Sequence, residues 1–170
     1  LREDWQRASF AAFGRRLMMD CVVRGGVAAS LGGAMLDRLR AQCSAIESEL
    51  RALRSIYDEH AGLQDRFIGT GRVSPNLAAQ LGLTGMAGRA SGQSADLRCD
   101  HDWPPYDQLG VEMASHRDGD VAARVALRFD EALESLRLIR AICAGLPAGA
   151  VRADVVLQQR DAIGAGWVEG

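Results

Sequence analysis

Asp120–Gly145, reading DVAARVALRFDEALESLRLIRAICAG, is the stretch that decides the fold. Val121, Val125, Phe129, Ala132, Leu136, Ile139 and Cys143 recur at three- and four-residue steps, the spacing of one face of an α-helix. Asp118 or Asp120 stands where a carboxylate accepts a first-turn N–H and meets the positive end of the helix. Gly145, with Pro147 just beyond, supplies the stop. Upstream, Leu36, Leu39, Cys43, Ile46, Leu50, Leu53 and Tyr57 mark a second long helix with one dry stripe, and Arg38, Glu47, Glu49, Arg51 and Arg54 fall on its opposite face. Trp5, Phe10, Phe13 and Leu17 predict an amphipathic helix through Met19, halted by Gly25-Gly26.

Between the long helices the texture changes. Gly62 to Gly92 holds seven glycines, a density that implies backbone packed on backbone or left-handed turns. Within it Ser74-Pro75 reads as a helix N-cap and first residue, with Leu77, Ala78 and Leu81 on the buried side. Trp103-Pro104-Pro105-Tyr106 cannot lie inside a helix and predicts extended chain, and Leu109–Met113 alternates as a short strand does. Ile163–Gly170 resembles a strand that has barely begun. The expected fold is mainly α: long antiparallel helices with a Gly/Pro-rich excursion that includes a short β-ribbon.

The chain has 170 residues, 48% hydrophobic and 25% charged, with a formal net charge of −2. That suits one domain with its own core and argues against disorder or an electrostatic grip on nucleic acid. No apolar run approaches the roughly 18 residues a membrane-spanning helix needs. All 20 basic residues are Arg, which fits a coding bias. Cys21, Cys43, Cys99 and Cys143 are too scattered for a zinc or iron–sulfur site, and a reducing, cytoplasmic setting is expected. Both ends, Leu1 and Gly170, read as places where more protein once continued, so residues 1–170 are expected to be one internal fragment of a larger subunit.

Candidate chemistry is sparse. His60, His101 and His116 share no metal-binding spacing, and His60 at a helix end reads as a capping residue. Asp96, Asp100, Asp102 and Asp107 lack the glycine-centred loop of a calcium site and are expected to be solvated or paired with Arg. Gly69-Thr70-Gly71 is followed by no phosphate-loop pattern, and no serine lies in a nucleophile elbow. No catalytic, cofactor-binding or metal residue is therefore assigned from the residues themselves.

Ordered motifs nevertheless run through most of the chain. They are Arg24-Gly25-Gly26-Val27, Gly69-Thr70-Gly71-Arg72-Val73-Ser74-Pro75, Leu81-Gly82-Leu83-Thr84-Gly85 and Gly88-Arg89-Ala90-Ser91-Gly92. Asp96-Leu97-Arg98, Pro105-Tyr106-Asp107, Gly119-Asp120-Val121-Ala122-Ala123-Arg124 and Glu134-Ser135-Leu136-Arg137-Leu138-Ile139-Arg140 follow. Together they resemble the large subunit of membrane-bound nickel–iron (NiFe) hydrogenases and formate hydrogenlyase, and its relative, the quinone-site subunit of respiratory complex I, an NADH dehydrogenase. The resemblance implies the helical interior of a redox subunit that packs against an iron–sulfur small subunit beside membrane-arm subunits, peripheral at the cytoplasmic side of the membrane. Its cofactor would be a NiFe centre held by cysteine pairs near the subunit's start and end, or a quinone in the vacated space. The four cysteines here do not match those pairs, so the fragment is expected to hold no cofactor and to be inactive alone.

The resemblance also singles out family-motif and interface residues: Met18, Gly25, Gly26, Arg89, Ser91, Gly92, Arg98, Asp120 and Arg124. Met18 stands where many complex I relatives carry a histidine close to the terminal iron–sulfur cluster. A thioether does not titrate, which weighs towards the formate hydrogenlyase-like branch. Arg89, Arg98 and Arg124 either face the cluster-bearing partner or fix loop carboxylates by bidentate bonds. Gly85, Gly88 and Gly92 are expected to serve backbone shape. A rival reading is a non-catalytic helical assembly module of a membrane-associated redox complex.

Overall fold

In the computed structural model, residues 2–101, 103–156 and 163–168 are described. The elements are α1 (Arg2–Phe13), β1 (Val22–Val23), β2 (Gly26–Val27), α2 (Gly33–Glu59), α3 (Ala61–Phe67), α4 (Pro75–Gln80), α5 (Gly85–Ala90), α6 (Leu97–Asp100), α7 (Tyr106–Leu109) and α8 (Val121–Gly145). The fold is thus mainly helical with one small ribbon. The chain divides into two compact units, Leu1–Ile46 with Arg140–Gly166, and Glu47–Ile139 with Trp167–Gly170.

In the first unit α1 stops at Phe13, earlier than the apolar spacing through Leu17 predicts. Gly14 takes a left-handed φ of 71° and its N–H still bonds the Phe10 carbonyl, which closes the helix. Leu17 and Met19 are consequently exposed. Gly25-Gly26 does not end a helix; it forms the turn of the antiparallel ribbon, with Val22 opposite Val27 and Val23 opposite Gly26. The ribbon therefore lies here rather than in the Gly/Pro-rich excursion. The buried side chains of this unit are Ala8, Ser9, Leu39, Cys43 and Cys143. Ile163–Val168 has no regular structure, so the expected strand start is not seen there, and Glu169-Gly170 lies outside the described residues.

In the second unit Arg54 of α2 reaches Asp130 of α8, and the Tyr57 ring meets Phe129 at 6.0 Å between centroids. The two helices run against each other there. The dry stripe of α2 is narrower than its spacing predicts: Leu50 and Tyr57 are half-buried and Leu53 is exposed. Ser74 caps α4 by accepting from Leu77 N–H, with Pro75 in the first turn, and Ala78 is buried. Leu77 and Leu81 are exposed, because a six-residue helix buries only the one residue that faces its neighbours. Leu109–Met113 is not a strand: Tyr106–Leu109 is one helical turn ended by Gly110 at φ 53°, and the next residues are irregular.

Among Val121–Ile139 only Arg128 is exposed. Burial on this helix therefore wraps around it instead of following the Val121–Val125–Phe129 line. The core is Ala90, Ala123 and Leu127, with Met86 and Ala114 packed against it. Asp120, not Asp118, caps α8. His60 does cap a helix, but with opposite polarity to that expected: its Nδ1 accepts the Leu63 N–H at the start of α3.

Candidate functional site

The motif residues separate into two sets, one in each unit. In the second unit, Arg89 sits on the short helix α5 and is only 6% exposed. Its Nε and Nη2 converge on Oε1 of Glu131, at 2.7 and 2.6 Å, and Nη1 donates to the Ala95 carbonyl at 2.8 Å. A buried guanidinium needs such partners, since an unpaired one carries a large desolvation cost. Seven residues on, the loop repeats the device in reverse, with a buried carboxylate. Asp96 accepts from Arg98 Nε at 2.9 Å through one oxygen and from Nη2 at 2.6 Å through the other, a two-bond fork. It also accepts the Arg98 N–H and so caps α6. The Arg98 side-chain bonds, opposed by burial and reinforced by the backbone N–H, hold the Asp96 carboxyl below the usual carboxylate range. Asp100 accepts the Asp96 N–H at 2.9 Å, so two members of the aspartate group are engaged internally; Asp102 lies outside the described residues.

Asp120 ties the second pair of motif loops together. One of its oxygens accepts the Gly69 N–H at 2.7 Å and the other the Ala123 N–H at 2.8 Å. Burial pushes this carboxyl up, but the backbone donors, with the Arg124 charge beside them, outweigh it and hold it low. Arg124 donates to the carbonyls of Gly119 and Gly71, both at 3.2 Å. Val73 N–H to Gly119 O, Gly119 N–H to Ala90 O and Val121 N–H to Thr70 O complete the stitching, at 2.9–3.0 Å. Gly119 has φ 65°, and a Cβ there would overlap the Val73 carbonyl oxygen and lie 3.0 Å from Ser91 Oγ. Ser91 is fully buried, and its hydroxyl has no hydrogen-bond partner among the described residues. Gly92, at φ 80°, turns the chain over the Pro75 ring.

Three carboxylates that matter to this geometry were not singled out as site residues from the sequence, although Glu134 opens one of the quoted motifs. Glu131 holds Arg89. Glu134 is forked by Arg137 at 2.7 and 2.6 Å and accepts the Glu112 N–H. Asp130 bonds His116 Nε2 at 2.9 Å and Arg54 at 2.6 Å. For Asp130 and Glu131 the only hint was the residue type: acidic side chains on a helix that leaves Arg128 alone exposed between Val121 and Ile139.

Arg89, Asp96, Arg98 and Glu131 line an open cleft of about 590 Å³ together with apolar Met86, Leu97 and Trp167. Buried Arg89 and half-buried Arg98 are each neutralised by a carboxylate, so their bonds serve to fix the loops.

In the first unit, Met18 is half-exposed at φ 55°, in a left-handed turn that a non-glycine residue rarely adopts. Gly25 and Gly26 lie at the ribbon turn. Among the described residues no group of three His, Cys, Asp or Glu side chains could hold a metal ion. Burial pushes the thiols of Cys43, Cys99 and Cys143 up, towards the protonated form that ligates metal poorly. The residues present therefore do not fit a NiFe centre.

Comparison with known proteins gives a consistent set. The family model described as respiratory-chain NADH dehydrogenase, 49 Kd subunit, matches residues 1–165. The carbon monoxide-induced hydrogenase of Rhodospirillum rubrum is 33% identical over 91% of this chain and 43% of its own length. An NADH-quinone oxidoreductase subunit from Paramagnetospirillum magneticum is 31% identical over 83% of this chain and 36% of its own. The chain thus spans less than half the length of these relatives. In fold it resembles a chain in the structure of the membrane-bound sulfane sulfur reductase, an archaeal respiratory membrane complex. The TM-score is 0.82 at 24% identity, over 90% of this chain and 42% of that one. No helix among the described residues is long and apolar enough to cross a membrane.

Proposed function

The chain belongs to the family of the 49 kDa subunit of respiratory-chain NADH dehydrogenase, and from that premise we propose that it forms part of the large subunit of an oxidoreductase of the hydrogenase and NADH:quinone oxidoreductase type. In this reading the subunit receives electrons from an iron–sulfur partner and passes them to protons at a NiFe centre or to quinone, beside membrane-arm subunits at the cytoplasmic face. The redox centre is held by other parts of the subunit, and this chain alone carries no nickel, iron or flavin. The observation that carries the proposal is the family match over residues 1–165.

Of the two branches we favour the hydrogenase side, in the manner of formate hydrogenlyase. Met18 supports it, because a thioether cannot couple proton uptake to electron transfer as an imidazole can. The similarity to a hydrogenase over 91% of the chain supports it too. The residues of this chain contribute shape: Arg89–Glu131, Arg98–Asp96 and the Asp120 stitching keep the loops in one geometry, the preorganisation an electron-transfer interface needs.

The test is to purify the tagged subunit from its host membranes and measure metal content, iron–sulfur EPR signals, and both hydrogen evolution and quinone reduction. Co-purification of an iron–sulfur protein, with nickel and hydrogen evolution, supports the favoured branch. Quinone reduction without nickel moves the assignment to the other branch. Absence of both activities and of any iron–sulfur partner overturns the proposal in favour of an assembly module.

A further inference from the structure

We infer that Arg24-Gly25-Gly26-Val27 is the seat of a strap, the segment Val151–Ala153 that follows α8, and that the glycine pair is there to let the strap's backbone lie against the ribbon. The contacts are backbone to backbone. Val27 N–H donates to the Val151 carbonyl at 3.0 Å, Ala153 N–H donates to the Gly25 carbonyl at 2.9 Å, and Gly26 forms an antiparallel bridge with Arg152. These are the bonds of a third strand added to a two-strand ribbon.

The two glycines sit under this strand. A Cβ on Gly25 would overlap the Ala153 carbonyl oxygen and come within 2.9 Å of Val155 Cγ2. One on Gly26 would overlap the Val151 carbonyl oxygen and reach Arg152 Cα at 2.9 Å. Close approach is thus required at both positions, while a left-handed turn alone, with φ 84° at Gly25, would be met by Asn as well. Val151–Val156 is exposed throughout, so no buried side chain of its own anchors it. Its attachment depends on the seat. The ribbon also precedes Ala28, whose N–H bonds the Cys21 carbonyl at 2.8 Å, while Cys21 N–H bonds Met18 O at 3.3 Å. The strap therefore braces, through the ribbon, the strained turn at Met18 and Asp20 (φ 55° and 61°). This role is independent of the redox reading.

Amide hydrogen exchange on the full chain, read residue by residue, tests it. Gly25→Asn keeps the turn conformation accessible but adds a Cβ, and Ala153→Pro leaves both glycines intact but removes the donor to Gly25. Both are expected to speed exchange at the Val27 amide by roughly three- to tenfold, the loss of about one net hydrogen bond, with exchange at Leu127 unchanged. If Gly25→Asn leaves Val27 protected, the glycine serves only the turn; if Ala153→Pro does so, the strap is not held there. Either result overturns the inference.

Discussion

The loops around α5 and the ribbon around Gly25-Gly26 solve the same problem, holding irregular chain in place, by different means. The α5 loops are fastened by charged side chains largely withdrawn from water: Arg89 on Glu131 and Arg98 on Asp96, each pair with one buried partner, and buried Asp120 on two backbone N–H groups. The ribbon is fastened by backbone alone, and the charge pairs of its unit lie at the surface, as Arg7 and Arg16 on Glu3 do. The contrast teaches that similar motif density conceals unequal energetics. Buried pairs are costly to break, whereas exposed pairs are screened and contribute little.

Removing one partner of a buried pair should separate the two regions most. Arg89→Ala leaves Glu131 without its counterion and is expected to destabilise by about 3–5 kcal/mol in denaturant titrations; a loss under about 1 kcal/mol would mean that the buried pairs are no stronger than surface ones. Leu127→Ala, in the fully buried centre of the same unit, is expected to cost about 3 kcal/mol through lost contacts and the cavity left behind.

Acid should act on the α5 region next. Asp96 and Glu134 are held below their ordinary values chiefly by Arg98 and Arg137, and Asp120 by backbone donors that, with the Arg124 charge, outweigh its burial. A lowered folded-state pKa stabilises above the unfolded value and is lost as pH falls through the folded one. Stability should therefore be flat near neutrality and decline below about pH 4, with Asp96→Asn showing a shallower acid limb. An unchanged limb in that variant would remove Asp96 from the account. Ser74→Ala, which deletes the α4 cap, should cost about 1 kcal/mol in the same titrations. Glu3→Gln closes the series: its partners are solvent-exposed, so the melting temperature should not move.

Much of the α framework was legible because periodicity and caps are local. The 25-residue α8, the α4 cap and the long α2 follow from spacing and from Ser74-Pro75, and the resemblance drawn from ordered motifs matches the family comparison. What sequence could not supply was non-local. Leu17 continues the α1 spacing, yet Gly14 closes the helix before it. Leu53 continues the α2 stripe, but it stays exposed among the described residues. Gly25-Gly26 looked like a stop because the strand that demands those glycines, Val151–Ala153, arrives only after α8. Of the motif arginines, Arg89, Arg98 and Arg137 proved to hold carboxylates, and only Asp96 and Glu134 lay near enough in sequence to be suggested. Glu131, though close to the resembling stretches, was not singled out, since its role exists only once α8 packs against α5.

Arg128 is the single open position between Val121 and Ile139. Anyone wishing to attach a spin label, fluorophore or cross-linker to that helix has one doorway that leaves the packing alone. A reporter placed there would look onto the cleft beside Trp167, and its mobility would register any molecule that comes to occupy it.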